Sequence, residues 1–186
     1  MLEQFDNDKG SIVINFFGTP SSGKSTGAAY VFSKLKMAGV NAELITEFAK
    51  DKVWEENREV FKPENQCYLF GEQFYRMNRC KDKVAVILTD SPLPLSILYN
   101  KSNVLGEDFN RTVMNCFNSF NNISYVLLRD KPYNPVGRRH TEAQSDAMLT
   151  PLLELLHSRN VNFTERYGNI DDYDKIANDI MKLLKK

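Results

Sequence analysis

Eight residues, Gly18-Thr-Pro-Ser-Ser-Gly23-Lys24-Ser25, constrain this chain more than anything else in it. Their spacing is GxxxxGK[ST], and the flanking sequence gives that pattern its meaning. Before it, Ser11-Ile-Val-Ile-Asn-Phe-Phe17 is an apolar run of β-branched and aromatic residues, suited to a strand buried on both faces. After it, Ala28, Val31, Phe32 and Leu35 recur at helical spacing until Gly39 stops them. A glycine-bearing turn between strand and helix lets backbone N–H groups curl round an anion at the positive end of the helix. Lys24 would reach the β and γ oxygens of a nucleotide, and Ser25 would offer a hydroxyl to magnesium. Gly18, Pro20, Ser21, Ser22, Gly23, Lys24, Ser25 and Thr26 are therefore the expected ATP-binding residues, with ATP and Mg2+ as cofactors. A turn that only joined strand to helix would need neither the lysine nor the serine.

The rest of the chain reads as more of the same alternation. Ala42–Thr46 and Val84–Thr89 are expected strands, and between them a long helical stretch starts near Pro63 and carries Tyr68, Leu69, Glu72, Gln73, Arg76 and Met77. Ser124–Leu128 and Val161–Glu165 supply two more strands, Asn115–Asn122 a helix end and loop, and Ile176, Ile180, Leu183 and Leu184 the stripe of a last helix. Five strands with intervening helices predict an α/β, three-layer P-loop NTPase fold with a five-stranded parallel sheet. With 186 residues, one domain over 1–186 suffices, preceded by a polar tail over 1–10.

Composition narrows the partners. Lys plus Arg and Asp plus Glu each count 24, so no global field draws the chain to a polyanion, and any nucleic-acid contact must be local. The three cysteines, Cys67, Cys80 and Cys116, are widely spaced without a CxxC pair, which suits neither a disulfide framework nor a zinc site and suggests a reducing cytoplasm. No apolar run is long enough for a membrane span.

Two acids follow strands. Glu47 comes directly after the second strand and Asp90 directly after the third, so in a parallel sheet both emerge beside the phosphate loop. Phosphoryl transfer needs a carboxylate that orients or deprotonates the acceptor and another acid near magnesium. Asp90, with Ser25, is assigned to the metal and Glu47 to the acceptor. After the fourth strand, residues 129–141 set Arg129, Lys131, Arg138 and Arg139 among prolines and a glycine, just ahead of a helix. This is an expected lid that closes over ATP, with Arg129 and Arg138 facing the transferred phosphate. Gln73 and Arg76, three apart on a helix, are expected to read the acceptor, with Phe70, Phe74 and Tyr75 as stacking partners. Lys81 and Lys83, together with the lid cations, are a candidate basic rim. His140 and His157 share no metal-ligand spacing.

Kinases, GTPases and ATPase motors share this cradle. Asn100-Lys-Ser-Asn103 lacks the aspartate of a guanine signature. An AAA-type motor is disfavoured because about 20 residues after the fifth strand leave no room for a helical lid domain. The catalytic set expected of a kinase is then Lys24, Glu47, Asp90, Arg129 and Arg138.

In Gly18 to Ser25, Thr46-Glu47-Phe-Ala-Lys50, Thr89-Asp90-Ser-Pro92 and the Arg129 to Arg139 segment, the chain resembles small P-loop nucleoside and nucleotide kinases. These include the ribosylnicotinamide-kinase-like branch and relatives common in bacteriophages. The resemblance implies that Glu47 or Asp90 binds or deprotonates the acceptor hydroxyl and that the lid arginines close on ATP. Lys50 stands where the family usually has arginine, which weakens a bidentate contact there. Some phage relatives phosphorylate 5-hydroxymethyluracil within DNA, acting in the host cytoplasm. A free nucleoside or nucleotide and modified DNA are thus alternative acceptors. An ATP-gated binding module with slow ATPase activity, working through a partner, is the alternative of another class.

Overall fold

The six residues of β1, Ile12–Phe17, are all buried, and parity divides them between two cores. In the computed structural model, which describes residues 10–136 and 140–185, Ile12, Ile14 and Phe16 face α1 (Lys24–Met37) and α8 (Ile170–Leu184). Val13 and Phe17 face the opposite layer, built from α3 (Gln66–Asn78), α5 (Gly106–Asn118) and α7 (Leu149–Ser158). A strand apolar on both faces needs cover on both, and this is what makes three layers. The one polar break, Asn15, sends its amide to Asn122 at 2.9 Å.

The sheet is five-stranded and entirely parallel, in the order β2-β3-β1-β4-β5. The strands are β2 (Ala42–Ile45), β3 (Val86–Thr89), β4 (Asn121–Leu128) and β5 (Thr164–Tyr167). After β1 the chain crosses to one side for β2 and β3, and to the other for β4 and β5. A crevice therefore opens at the carboxyl end of β1, the switch point of the topology. Among the described residues, no helix is long and apolar enough to cross a membrane.

Local sequence explains where elements differ from expectation. The long helix expected from near Pro63 is α3, which starts at Gln66, and a separate helix precedes it. A short α2 (Phe48–Trp54) ends before Glu56, whose φ of 54° breaks it, and two 3-10 turns (Glu59–Phe61, Pro63–Asn65) lead into α3. β4 starts at Asn121, three residues before the expected start and inside the expected loop. Asn122 donates to the carbonyls of Phe117 and Phe120 and accepts from Asn15, so strand geometry there is carried by satisfied amides rather than an apolar pattern. β5 lies three residues later than expected. Val161 and Phe163 dip into the α3/α5/α7 core as loop residues, and the edge strand itself is the polar Thr164-Glu-Arg-Tyr167. The expected tail over 1–10 falls, except for Gly10, outside the described residues.

Candidate active site

The phosphate loop is shaped by glycines at two close approaches. Gly23 caps α1 at a φ of 98°, and a Cβ there would lie 2.3 Å from the Tyr173 hydroxyl. Gly168, at the end of β5, passes so near that a Cβ would sit 2.0 Å from the Ser22 carbonyl oxygen. From α8, the Tyr173 hydroxyl donates to the Gly23 carbonyl at 3.0 Å. Burial of that phenol pushes its pKa up to about 12, so it remains a donor. The last helix thus holds the loop from below.

Lys24 folds over the loop and donates to the carbonyls of Gly18 (2.9 Å) and Thr19 (3.0 Å). Gly18, Pro20, Ser21, Gly23, Lys24, Ser25 and Thr26 all line a cleft of about 390 Å³. Ser22 does not: its side chain turns inward and its N–H donates to Thr19 at 3.2 Å.

Across the crevice, Glu47 is the N-cap of α2 and Asp90 ends β3, and both line the cleft. The Glu47 N–H donates to Asp90 Oδ1 at 2.9 Å. Gln73 accepts from the Phe48 N–H at 3.0 Å and donates to Thr89 Oγ1 at 3.3 Å. This pins the two strand ends together and sets both acids on the wall that Lys24 shares, with the Lys24 charge acting on Asp90. Asp90 is only 6% exposed. Burial raises its pKa above the ordinary carboxylate range, opposed by the Lys24 charge and the Glu47 N–H.

Not every expected site residue joins them. Arg76 turns away to Asp51 at 3.1 Å and lies over the Phe48 ring at 4.6 Å, outside the cleft wall. Arg129 is held by Glu142 and Asp146 of α6 (Glu142–Asp146) and lies over the Tyr133 ring, likewise outside the wall. Arg138, with Gly137 and Arg139, lies outside the described residues. Phe70 and Phe74 stack in the core and Tyr75 is exposed, so none of the three lines the cleft. His157 packs on Phe163. Lys81 and Lys83 precede β3, and in a parallel sheet that is the edge opposite the cleft; Lys81 donates to the Ser119 carbonyl. They form no rim with the lid.

Sequence reasoning missed Gln66, Ser96, Tyr99 and Lys101, which line the cleft together with Lys50, Lys131 and His140. Gln66 repeats the position of Gln73 two turns earlier, a signal available in the sequence. Tyr99 and Lys101 lie on a short helix and turn after Asp90 that carry no motif. Two contacts seat the segment after β4 on the phosphate loop. The Asn134 N–H donates to Ser21 Oγ at 3.1 Å, and Ser145 of α6 donates to the Pro20 carbonyl at 2.7 Å.

A parallel sheet with a phosphate loop at its switch point defines a P-loop nucleotide-binding fold. The model of the AAA domain family matches residues 13–172, and the chain belongs to that family. The motor reading disfavoured from the sequence concerns an activity, whereas this match is to the domain family. No curated protein matches the sequence. Among solved structures, NadR protein in complex with NAD and AMP-PNP superposes with a TM-score of 0.70 at 14% identity, covering 95% of this chain and 50% of that one. NadR protein in complex with NR gives 0.73 at 15% identity, covering 95% and 52%. The chain thus spans about half the length of these proteins, and at such identity the likeness is one of fold.

Proposed function

We propose that the protein is an ATP-dependent kinase that transfers the γ-phosphate to a nucleoside or nucleotide. The observation that carries this reading is the pair Glu47 and Asp90, pinned by one hydrogen bond on the wall of the cleft that Lys24 also lines. A nucleotide-binding module needs the loop but not a second carboxylate opposite it. The cleft also extends past both acids along α2 and α3, leaving room for a second substrate. Of the NadR structures, one holds AMP-PNP and NAD and the other NR, which supports a nucleotide beside a small acceptor.

In this reading the phosphate loop and Lys24 hold the ATP phosphates, and Lys24 draws off charge as the terminal phosphoryl moves. Glu47 accepts the proton of the acceptor hydroxyl, whose oxygen bonds to the γ-phosphorus as the bond to the bridging oxygen of ADP breaks. The Ser25 hydroxyl and Asp90 carboxylate are hard oxygen donors on the cleft wall, a set that fits Mg2+, which takes one or two protein oxygens and completes its shell with phosphate and water. The ion, when bound, neutralises phosphate charge. Arg138 belongs to the proposed lid.

Transfer of label from γ-labelled ATP tests this, with monomeric nucleosides and nucleotides, ordinary DNA and DNA containing 5-hydroxymethyluracil offered in parallel. The expected result is label on a monomeric acceptor, lost in Lys24→Ala with the fold intact by circular dichroism. Acceptor-independent ATP hydrolysis that rises only with a protein partner would instead favour the binding module.

A further inference from the structure

The buried stripe of α3 carries two glutamines, Gln66 and Gln73, seven residues apart. Seven residues are two turns, so both side chains share one face, separated by roughly 10 Å along the axis. Their chemical situations differ. The Gln73 amide is committed on both sides, to the Phe48 N–H and to Thr89. Gln66 is 4% exposed and lines the cleft, yet its amide has no hydrogen-bond partner among the described residues. An amide that faces a cleft without a protein partner is open to a ligand that brings both a donor and an acceptor. Around it stand Val53, Phe61, Pro63 and Leu69, apolar walls suited to a planar ring.

We propose that Gln66 reads the base of the acceptor, and that this base presents an N–H donor beside a C=O acceptor, as a ring lactam or a carboxamide does. The inference rests on the kinase reading for the identity of the ligand. Gln66 offers Nε2–H and Oε1 side by side, so such an edge is met at two points. Gln73 holds the Glu47 corner, where the hydroxyl reacts. Gln66, two turns further out, meets the far end of the same molecule. A site built to hydrogen-bond a ligand's polar edge rejects an analogue that cannot pair with it, because the analogue displaces water and leaves the group unpaired.

The test offers uridine, thymidine, inosine and nicotinamide riboside, each beside an analogue whose edge is blocked: the N-methylated lactam, or the pyridine riboside without its carboxamide. Wild type, Gln66→Leu and Gln66→Glu are compared by kcat/KM and, without ATP, by equilibrium binding. At least one edge-bearing acceptor is expected to exceed its blocked partner by about 10- to 100-fold in kcat/KM. Gln66→Leu should abolish that preference through KM for the acceptor and leave KM for ATP unchanged. Gln66→Glu keeps the size of the side chain but has no N–H to donate, and should fall with Gln66→Leu. A preference that survives in both variants, or equal losses on edge-bearing and blocked acceptors, overturns the assignment. If no nucleoside takes label but an edge-bearing one binds and Gln66→Leu loses that binding, the kinase reading fails while the role of Gln66 stands. If binding separates no pair either, the role of Gln66 falls.

Discussion

Asp90 is held in a way that costs stability at neutral pH. Its carboxylate is buried at the end of β3, and its pKa is raised by that burial. A carboxyl whose folded-state pKa lies above its unfolded value contributes stability at low pH, and that contribution is lost as the pH rises through the folded pKa. At neutral pH the wild type therefore bears the cost of an ionised, desolvated group. Asp90→Asn keeps an oxygen to accept from the Glu47 N–H, so it should raise the melting temperature at pH 7, and the gap should close on acidification as Asp90 takes up its proton. Melting curves from pH 7 down to pH 4 check this; a lower midpoint at pH 7 would show that the Lys24 charge outweighs burial. Gly168 is a second residue whose identity is dictated by space. Gly168→Ala would drive a methyl to 2.0 Å from the Ser22 carbonyl, against backbone that has no slack. We expect a loss of about 1–3 kcal/mol in denaturant unfolding, as for other overpacked sites. ATP affinity should fall with it, because the displaced atoms belong to the phosphate loop.

Elements show which part of the site was legible in the chain and which was not. The phosphate loop was readable because its glycines and lysine answer to local geometry: Gly23 and Lys24 lie within seven residues of β1. Glu47 and Asp90 were readable from strand parallelism alone, since each directly follows a strand. Arg76 and Arg129 were not, because charge says nothing about which carboxylate a long side chain will find. Asp51 and the pair Glu142 and Asp146 captured them. Gln73 was read as an acceptor contact, and it does line the cleft, but its amide joins α2, α3 and β3. Gln73→Leu would leave the Phe48 N–H buried without a partner, at a cost of about 1–3 kcal/mol. Denaturant unfolding should show that loss, and amide exchange at Phe48 should accelerate. An unchanged exchange rate would mean that the Gln73 bond is not what protects that N–H. β5 was misplaced because this edge strand is itself polar, while the apolar signal came from the loop that precedes it.

On the scale of the whole molecule, charge and topology together bear on the nature of the acceptor. The chain carries 24 basic and 24 acidic side chains, so any pull on a polyanion must come from a local patch. The described cations nearest the site are Lys24, Lys50, Lys101 and Lys131, and all four line the cleft rather than a flat face beside it. Lys81 and Lys83, which would have had to extend that patch along a duplex, lie at the opposite edge of the sheet. A cleft of about 390 Å³ with its cations inside is matched to a small anion such as a nucleotide. A protein that holds DNA by six to ten phosphates loses about 10³–10⁵ in affinity between 50 and 200 mM salt. A monomeric acceptor meeting one or two cations should change by less than about tenfold over the same range. We therefore expect the apparent affinity for the phosphorylated acceptor to be nearly flat in salt, and an excess of unlabelled duplex DNA not to compete. Steep salt dependence, together with competition by DNA, would place the acceptor within a polymer and require the described cleft to receive a base extruded from it.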